Sequence, residues 1–252
     1  MNKSSSSFSK IALAGSFLFL AITFPAAAQQ PAIEEQRVEP KRFRAVRVDS
    51  PPVLDGILDD AVWQQAELVT DFHQTRPGDR TPPSEPTELY VVYTEEALYI
   101  AARMYDSEPE LIAAPTIRHG QGLPFDDRLV VILDPFNQGQ AGYRFETNLN
   151  GVRHDALYET PTSFRLDWNT IWETATRVDD NSWVAELEIP FKSLPFDPNV
   201  ETWGFNFGRG IRRRNEEMAW VSQNRSYNPT IMGEMTGMRG MDQGLGLDIV
   251  PS

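Results

Sequence analysis

The chain has 252 residues, no cysteine and a formal net charge of −13. An excess of acidic groups repels the phosphates of nucleic acids and anionic lipid surfaces, so nucleic acid is excluded as an expected partner. A neutral ligand or a divalent cation meets no such barrier. Without cysteine, the chain cannot be one of the small secreted scaffolds that depend on disulfides.

The first 28 residues have the pattern of a secretory signal peptide. Lys3 and Lys10 precede an apolar segment over 11–24, and Ala26 to Ala28 supply small residues for cleavage. The apolar segment is too short for a comfortable membrane span. We therefore predict cleavage after Ala28 and an exported protein, in the periplasm, the outer membrane or the extracellular space. An uncleaved anchor is the alternative, and the missing basic stop-transfer flank disfavours it.

Composition divides the rest of the chain into three parts. Residues 29–42 are polar, which predicts a disordered linker. Residues 43–240 form one β domain. Residues 241–252 are a tail that either ends the protein or begins a further segment, and we favour the second interpretation.

Short alternating segments dominate the β domain. Turn signals separate them every eight to twelve residues, which predicts an all-β fold, an antiparallel β-sandwich with one or two short helices. One helix is predicted after Asp59, where Trp63 gains apolar neighbours and is expected in the core; the other is a single turn at Phe191. The predicted strands lie at 43–48, 89–93, 98–104, 129–133, 143–149, 152–158, 171–178, 183–189, 203–207 and 218–222.

The segment 125–155 is expected to form the centre of the fold. An apolar strand over 129–133 ends at Asp134-Pro135, because proline has no N–H for a β ladder. Apolar and polar residues alternate over 143–149, which predicts a strand with one buried (dry) face and one solvent-facing (wet) face. Asn150-Gly151 is a strong hairpin signal. Three adjacent antiparallel strands follow from this pattern.

Four motifs occur in order along the chain: VLDGILDDAVW at 53–63, Asp126-Asp127 ahead of VVILDP, YRFETN at 143–148 and WVAELEIPF at 183–191. Together they resemble the family 9 carbohydrate-binding modules. The resemblance implies a β-sandwich that binds sugars without catalysis, often with structural calcium. The chain is most similar to the version found at the N-terminus of bacterial outer-membrane proteins, which implies a role in carbohydrate catabolism or uptake at the cell envelope.

Two alternatives to sugar binding by a free module stay open. The domain could be a periplasmic accessory domain of an outer-membrane β-barrel that binds no sugar. It could also be a module of a glycoside hydrolase system. Carbohydrate and an outer-membrane barrel are thus the expected partners.

The candidate sugar site is the loop of Asp167, Trp168, Asn169 and Trp172. A sugar site needs an aromatic face for the C–H side of the ring, with amides or carboxylates for the hydroxyls. This loop supplies both types within a few residues. Packing in the core or at its rim is the alternative interpretation for each tryptophan.

The candidate metal ligands are Asp126, Asp127 and Asp134, because hard cations such as calcium prefer carboxylate and carbonyl oxygens. The three lack the dense spacing of an EF-hand loop. Solvated turn carboxylates are the alternative, and no other cofactor is indicated.

The sequence favours a domain with no catalysis of its own. A glycosidase needs two carboxylates that face each other across a sugar, but Glu186 and Glu188 lie on one side of a predicted strand and read as a solvated stripe. There is no Gly-x-Ser-x-Gly elbow and no His-Glu-x-x-His motif. If the domain serves an enzyme, the resemblance implies an O-glycosyl hydrolase.

Overall fold

The computed structural model describes residues 40–244. The predicted signal peptide, nearly all of the predicted linker and the end of the tail lie outside the described residues. Within residues 40–244 there is no helix of the length and apolarity that a membrane crossing requires.

The described residues form two β-sheets, so the predicted all-β fold is confirmed. The larger sheet comprises β1 (Arg42–Arg44), β3 (His73–Arg76), β6 (Arg128–Asp134), β7 (Gly142–Asn148), β8 (Arg153–Thr160), β9 (Ser163–Arg165), β12 (Thr202–Ile211), β13 (Glu216–Ala219) and β14 (Gly233–Thr236). The smaller comprises β2 (Val46–Arg47), β4 (Thr87–Tyr93), β5 (Ala97–Tyr105), β10 (Glu173–Asp179) and β11 (Ser182–Pro190). The strand order is β1-β14-β12-β6-β7-β8-β9 in the larger sheet, with β13 beside β12 and β3 beside β13, and β10-β11-β5-β4-β2 in the smaller.

Helical structure in the described part is limited to four 3-10 turns. The turn at Phe191–Ser193 is the one predicted there. The predicted helix after Asp59 is instead a single turn at Trp63–Gln65, and its N-cap is Val62, without a side-chain cap. The other two turns are Pro109–Leu111 and Arg212–Arg214.

The main core lies between the sheets and follows directly from strand alternation. On β12, Trp203, Phe205 and Phe207 point inward and are fully buried. The pairing of Phe205 with Leu133 and of Phe207 with Val131 continues this apolar face onto β6. Alternate residues of β11, from Trp183 to Ile189, complete the same core cluster from the opposite sheet.

The outer face of β12 carries small residues because another segment packs on it. A Cβ at Gly208 would lie 2.8 Å from the Tyr227 hydroxyl oxygen, and one at Gly204 would lie 3.2 Å from the Met232 sulfur. The loop over 227–232 therefore covers this part of the outer face. A cleft lined partly by β7 and β8 lies on the same face.

A second, smaller core lies on the outer face of the smaller sheet, where the segment that contains Trp63 packs. Trp63 is 3% exposed, which confirms it as a core residue. Glu186 holds this segment: its carboxylate accepts hydrogen bonds from the N–H groups of Asp55 and Gly56 and from the Trp63 indole. The interpretation of Glu186 as part of a solvated stripe is therefore wrong, because it is fully buried.

Candidate functional site

The predicted sugar loop is only partly available to a ligand. Trp172 is 1% exposed, and its indole N–H donates to Asp155 at 3.4 Å, so no sugar ring can reach its face. The prediction of Trp172 as a ligand contact is corrected: the ring packs on Phe145 in the core. Trp168 is half-buried, with its ring 5.1 Å from that of Tyr143.

Asp167 and Asn169, the two polar residues of that loop, are exposed, unlike Trp172. Their side chains are open to solvent at the rim of the sandwich. Leu166, one residue before Asp167, lines the outer-face cleft described below.

The three predicted metal ligands do not come together. Asp126 and Asp127 precede β6, whereas Asp134 is its last residue, which places Asp134 about 20 Å away along the strand. All three are buried and accept hydrogen bonds from the protein. Asp126 accepts from Thr116 and from Asn148 on β7, and Asp127 accepts from the Arg212 N–H. Asp134 accepts three from the N–H groups of 136, 138 and 139 in its own turn. Among the described residues, no group of three or more histidines and carboxylates could hold a metal ion. The shared calcium site is therefore corrected, and these side chains hold turns.

A cleft of about 240 Å³ lies on the outer face of the larger sheet, over β7 and β8. This volume is somewhat below the roughly 300 Å³ at which pockets for drug-sized ligands begin, so it suits a small ligand unit. Its lining combines apolar residues with charged ones. The residues are Gly122, Leu123, Pro124, Arg128, Arg144, Glu146, His154, Ala156, Phe164 and Leu166.

Arg144, Glu146 and His154 form the polar floor of the cleft. Arg144 donates through Nε to Glu146 Oε1 at 2.7 Å, and His154 Nδ1 lies 3.2 Å from Glu146 Oε2. Burial alone would raise the pKa of Glu146, but the Arg144 charge and the His154 hydrogen bond hold it far below its usual range. The pair is thus ionised at neutral pH, and its charges largely cancel.

Arg128 forms a second internally paired group at one side of the cleft. It donates to Glu217 Oε1 at 2.7 Å and to the carbonyl of Leu123 at 3.1 Å. Since both arginines of the cleft already have acidic partners, the cleft presents hydrogen-bonding groups without a large excess of charge.

Apolar side chains form the walls. Phe164 on β9 is 45% exposed, and Leu166 just after it is 65% exposed. The Phe164 ring packs on Tyr158 at 4.2 Å between centroids, and the Arg144 guanidinium lies 5.8 Å from its centre. The ring is therefore held in place and still open to solvent on the cleft side.

The opposite wall is the loop over 119–124, which is fastened to β8. The N–H of Gly120 donates to the Arg153 carbonyl at 2.8 Å, and the N–H of Arg153 donates to His119 Nδ1 at 3.0 Å. This loop is thus tied to the hairpin of β7 and β8 that carries the floor of the cleft.

A larger cleft of about 530 Å³ lies beside the edge of Trp172. It contains carboxylates at Glu96, Glu173, Glu188 and Asp242, and Trp172 is its one aromatic residue among those described. Because Trp172 is 1% exposed, this cleft offers no ring face for stacking. We therefore take the smaller outer-face cleft as the candidate site.

The sequence interpretation missed Arg144, Glu146, His154 and Phe164. Arg144 and Glu146 lie on the wet face that alternation over 143–149 predicts, although Glu146 is only 4% exposed. His154 lies within the predicted strand over 152–158, and Phe164 lies between that strand and the one predicted at 171–178. No signal in the sequence alone identifies His154, because its position opposite Glu146 depends on the register of the hairpin.

Comparison with known proteins agrees with the fold and the motifs. The sequence profile described as "Carbohydrate family 9 binding domain-like" matches residues 54–237, which is well over half of the chain. The chain belongs to this family. The match begins at the segment held by Glu186 and ends after β14, so it spans both sheets and the outer-face cleft.

Solved structures show the same fold. A family 9 carbohydrate-binding module from Caldicellulosiruptor kristjanssonii in complex with glucose is 17% identical, with a TM-score of 0.56 over 78% of this chain and 95% of that chain. The complex from the same organism with cellotriose is 18% identical, with a TM-score of 0.55 over 84% and 100%. A putative carbohydrate-binding protein from Bacteroides uniformis is 12% identical, with a TM-score of 0.62 over 79% and 99%. No curated protein matches the chain.

Proposed function

We propose that this domain binds carbohydrate, without catalysis, in the outer-face cleft. One observation carries the proposal: the exposed ring of Phe164 stands beside the buried polar floor of Arg144, Glu146 and His154. A sugar has one apolar C–H face and a rim of hydroxyls, and it needs an aromatic surface and hydrogen-bonding groups at the same place.

The charges of the cleft favour a neutral sugar unit at this position. Arg144 is paired with Glu146 and Arg128 with Glu217, so a sugar hydroxyl finds both donors and acceptors with no charge to neutralise. The volume of about 240 Å³ suits one or two sugar rings rather than a long chain lying inside. Membership of the family supports the same ligand class.

The experiment is a calorimetric titration with glucose, cellotriose and a panel of neutral oligosaccharides. Phe164→Ala removes the stacking surface and is expected to weaken binding by about tenfold to a hundredfold, since an aromatic contact of this kind contributes roughly 1.5–3 kcal/mol. The matched control is Phe136→Ala, because Phe136 is 40% exposed but lies in the loop after β6, outside the cleft.

Equal losses of affinity for the two variants would contradict this placement of the site. Absence of binding to every sugar of the panel by the wild-type domain would contradict the function itself.

Asp167 and Asn169 keep a place in this proposal. Both are exposed next to Leu166 at the cleft rim, and we propose that they contact a ligand that extends beyond the cleft. Asp167→Ala combined with Asn169→Ala is expected to weaken cellotriose binding and leave glucose binding unchanged. An equal effect on both sugars would remove them from the ligand contacts.

We also propose that the domain works outside the cytoplasm, at the cell envelope. The basic, apolar and small-residue pattern of residues 1–28 supports this compartment. Mass spectrometry of the protein from a cell-envelope fraction is expected to give a mature N-terminus at Gln29; an intact Met1 would contradict it. Attachment to an outer-membrane barrel stays a prediction from the resemblance.

A further inference from the structure

The loop that contributes Gly122, Leu123 and Pro124 to the cleft also carries two strongly exposed apolar side chains. Ile117 is 76% exposed and Phe125 is 69% exposed, the highest values among the large apolar residues in the described part of the chain. Phe125 directly follows Pro124, which lines the cleft. Exposed apolar groups gathered at one place on a soluble domain mark an interaction site more often than chance.

This loop is held rigidly. The carboxylate of Asp126 accepts hydrogen bonds from Thr116 N and Thr116 Oγ1, and from Asn148 Nδ2 at 2.7 Å. Asn150 Nδ2 donates to the carbonyl of Ala114 at 2.7 Å. Since the loop is fastened at both sides to the β7–β8 hairpin, Ile117 and Phe125 are presented in a fixed position.

Arg212 lies over the Phe125 ring in a cation–π contact, with its guanidinium carbon 5.9 Å from the ring centre. None of the ion pairs within residues 40–244 involves the Arg212 side chain, whereas its neighbours Arg213 and Arg214 are both paired with Glu85 and Glu108. A contact with a ring face uses none of the guanidinium N–H donors, so those of Arg212 stay available to a planar anion.

The Arg212–Phe125 pair lies next to the cleft on the same face of the sheet. A Cβ at Gly210 would lie 3.3 Å from Arg128 Nη1, which belongs to the cleft, so Gly210 faces outward. Arg212 follows two residues later, about 7 Å further along the chain. Its guanidinium lies over Phe125, and Phe125 directly follows the cleft-lining Pro124, so Arg212 lies beside the cleft.

We propose that Phe125 and Arg212 form a second subsite, which binds an anionic sugar unit adjoining the neutral unit in the cleft. The inference rests on the proposed function, because the cleft must first hold a sugar. The net charge of −13 does not prevent this, since charges beyond about 8 Å are screened at physiological ionic strength. The nearby Asp127 is 1% exposed and accepts the Arg212 N–H, so it does not occupy the guanidinium edge.

A carboxylate and a sulfate ester present the same chemistry to Arg212, and two matched ligand pairs separate them. The first pair is trigalacturonate and its methyl ester, and the second is a sulfated galactose tetrasaccharide and its desulfated form. Each is titrated calorimetrically against the wild type, Arg212→Gln and Arg44→Gln. Arg44 is the charge-matched control, because it ends β1 opposite Thr236 at the far edge of the larger sheet.

The wild type is expected to bind the charged member of at least one pair about fivefold more tightly than its neutral partner. Arg212→Gln should abolish that preference and keep the affinity for the neutral member, while Arg44→Gln should keep both. Phe125→Ala should weaken both members of the pair.

The outcomes distinguish the two proposals. Neutral sugars that bind and depend on Phe164, with no charge preference in either pair, would overturn the second subsite alone. If Arg212→Gln and Arg44→Gln lost the charge preference equally, the preference would come from long-range attraction, and the second subsite would be overturned as well. No binding of any sugar would overturn the proposed function together with this inference.

Discussion

Replacing Glu186 by alanine tests how the segment over 53–66 is held on the sandwich. The carboxylate is fully buried and accepts three hydrogen bonds, from Asp55 N at 3.0 Å, Gly56 N at 2.7 Å and Trp63 Nε1 at 3.1 Å. Glu186→Ala leaves these three donors without an acceptor and opens space beneath the segment.

The magnitude follows from these contacts. A hydrogen bond to a charged group contributes roughly 1.5–3 kcal/mol, and three to one carboxylate contribute less than three times that amount. Burial raises the pKa of Glu186, while the hydrogen bonds from Gly56 and Asp55 act against this, so part of the gain offsets desolvation. We expect a loss of about 3–4 kcal/mol in the free energy of unfolding, which is a fall of about 10 °C in Tm for a domain of this size.

Urea denaturation followed by tryptophan fluorescence measures this loss. The matched control is Glu188→Ala on the same side of β11, where the carboxylate is half-buried and accepts one hydrogen bond, from Tyr99 at 3.4 Å. We expect less than about 1 kcal/mol for the control. Similar small losses in both variants would refute the argument that Glu186 holds the segment.

Three further predictions concern other contacts. Gly56→Ala should lower the free energy of unfolding by about 2–4 kcal/mol, because Gly56 has φ +79° and an added Cβ would lie 2.7 Å from the Cβ of Arg177. Gly122→Ala is the control and should change the free energy of unfolding little, because no atom lies nearer than 3.8 Å to its added Cβ. Equal Tm values for the two variants would contradict this prediction. Burial alone would raise the pKa of Asp106, but hydrogen bonds from Arg213 and Glu108 N lower it. The ionised Asp106 therefore stabilises the fold above about pH 4, and this stabilisation is lost as the pH falls. The difference in unfolding free energy between the wild type and Asp106→Asn should shrink on acidification, and a constant difference from neutral pH to about pH 2 would contradict this prediction. His154→Ala should weaken sugar binding about tenfold while the circular dichroism spectrum stays that of the wild type, and unchanged affinity would remove His154 from the site.

The fold could be predicted from the sequence because its strands follow simple alternation. The inward residues of β11 and β12 repeat every second position, and each run ends at proline, a turn or a charged pair. The predicted edge strand over 43–48 was also found, but it is divided between sheets: β1 pairs with β14 and β2 pairs with β4. Periodicity cannot show which sheet a two- or three-residue edge strand joins.

The site was harder to predict because the register between β7 and β8 decides which side chains face the cleft. A two-residue loop at Asn150-Gly151 would pair Glu146 with Asp155. The hairpin instead turns over 148–151, with the Gly151 N–H bonded to the Asn148 carbonyl, and pairs Glu146 with His154. A shift of one residue exchanges the faces of a strand, so it decides whether His154 or Asp155 enters the cleft.

Trp172 and Glu186 show a second limit. Residue type made Trp172 a candidate ligand contact and predicted a solvated carboxylate for Glu186, yet both are buried because a partner distant in sequence contacts them. Asp155 accepts from the Trp172 indole, and Asp55, Gly56 and Trp63 donate to Glu186. Such long-range partners are visible only once the strands are placed.

The most direct measurement is a two-dimensional amide NMR titration of the labelled domain with cellotriose. The account predicts that the largest shift changes fall at 122–124, 144–146, 154–156 and 164–166, which surround the outer-face cleft. Changes concentrated at 96–97, 171–173 and 188–192 would move the sugar to the cleft beside Trp172 and contradict it.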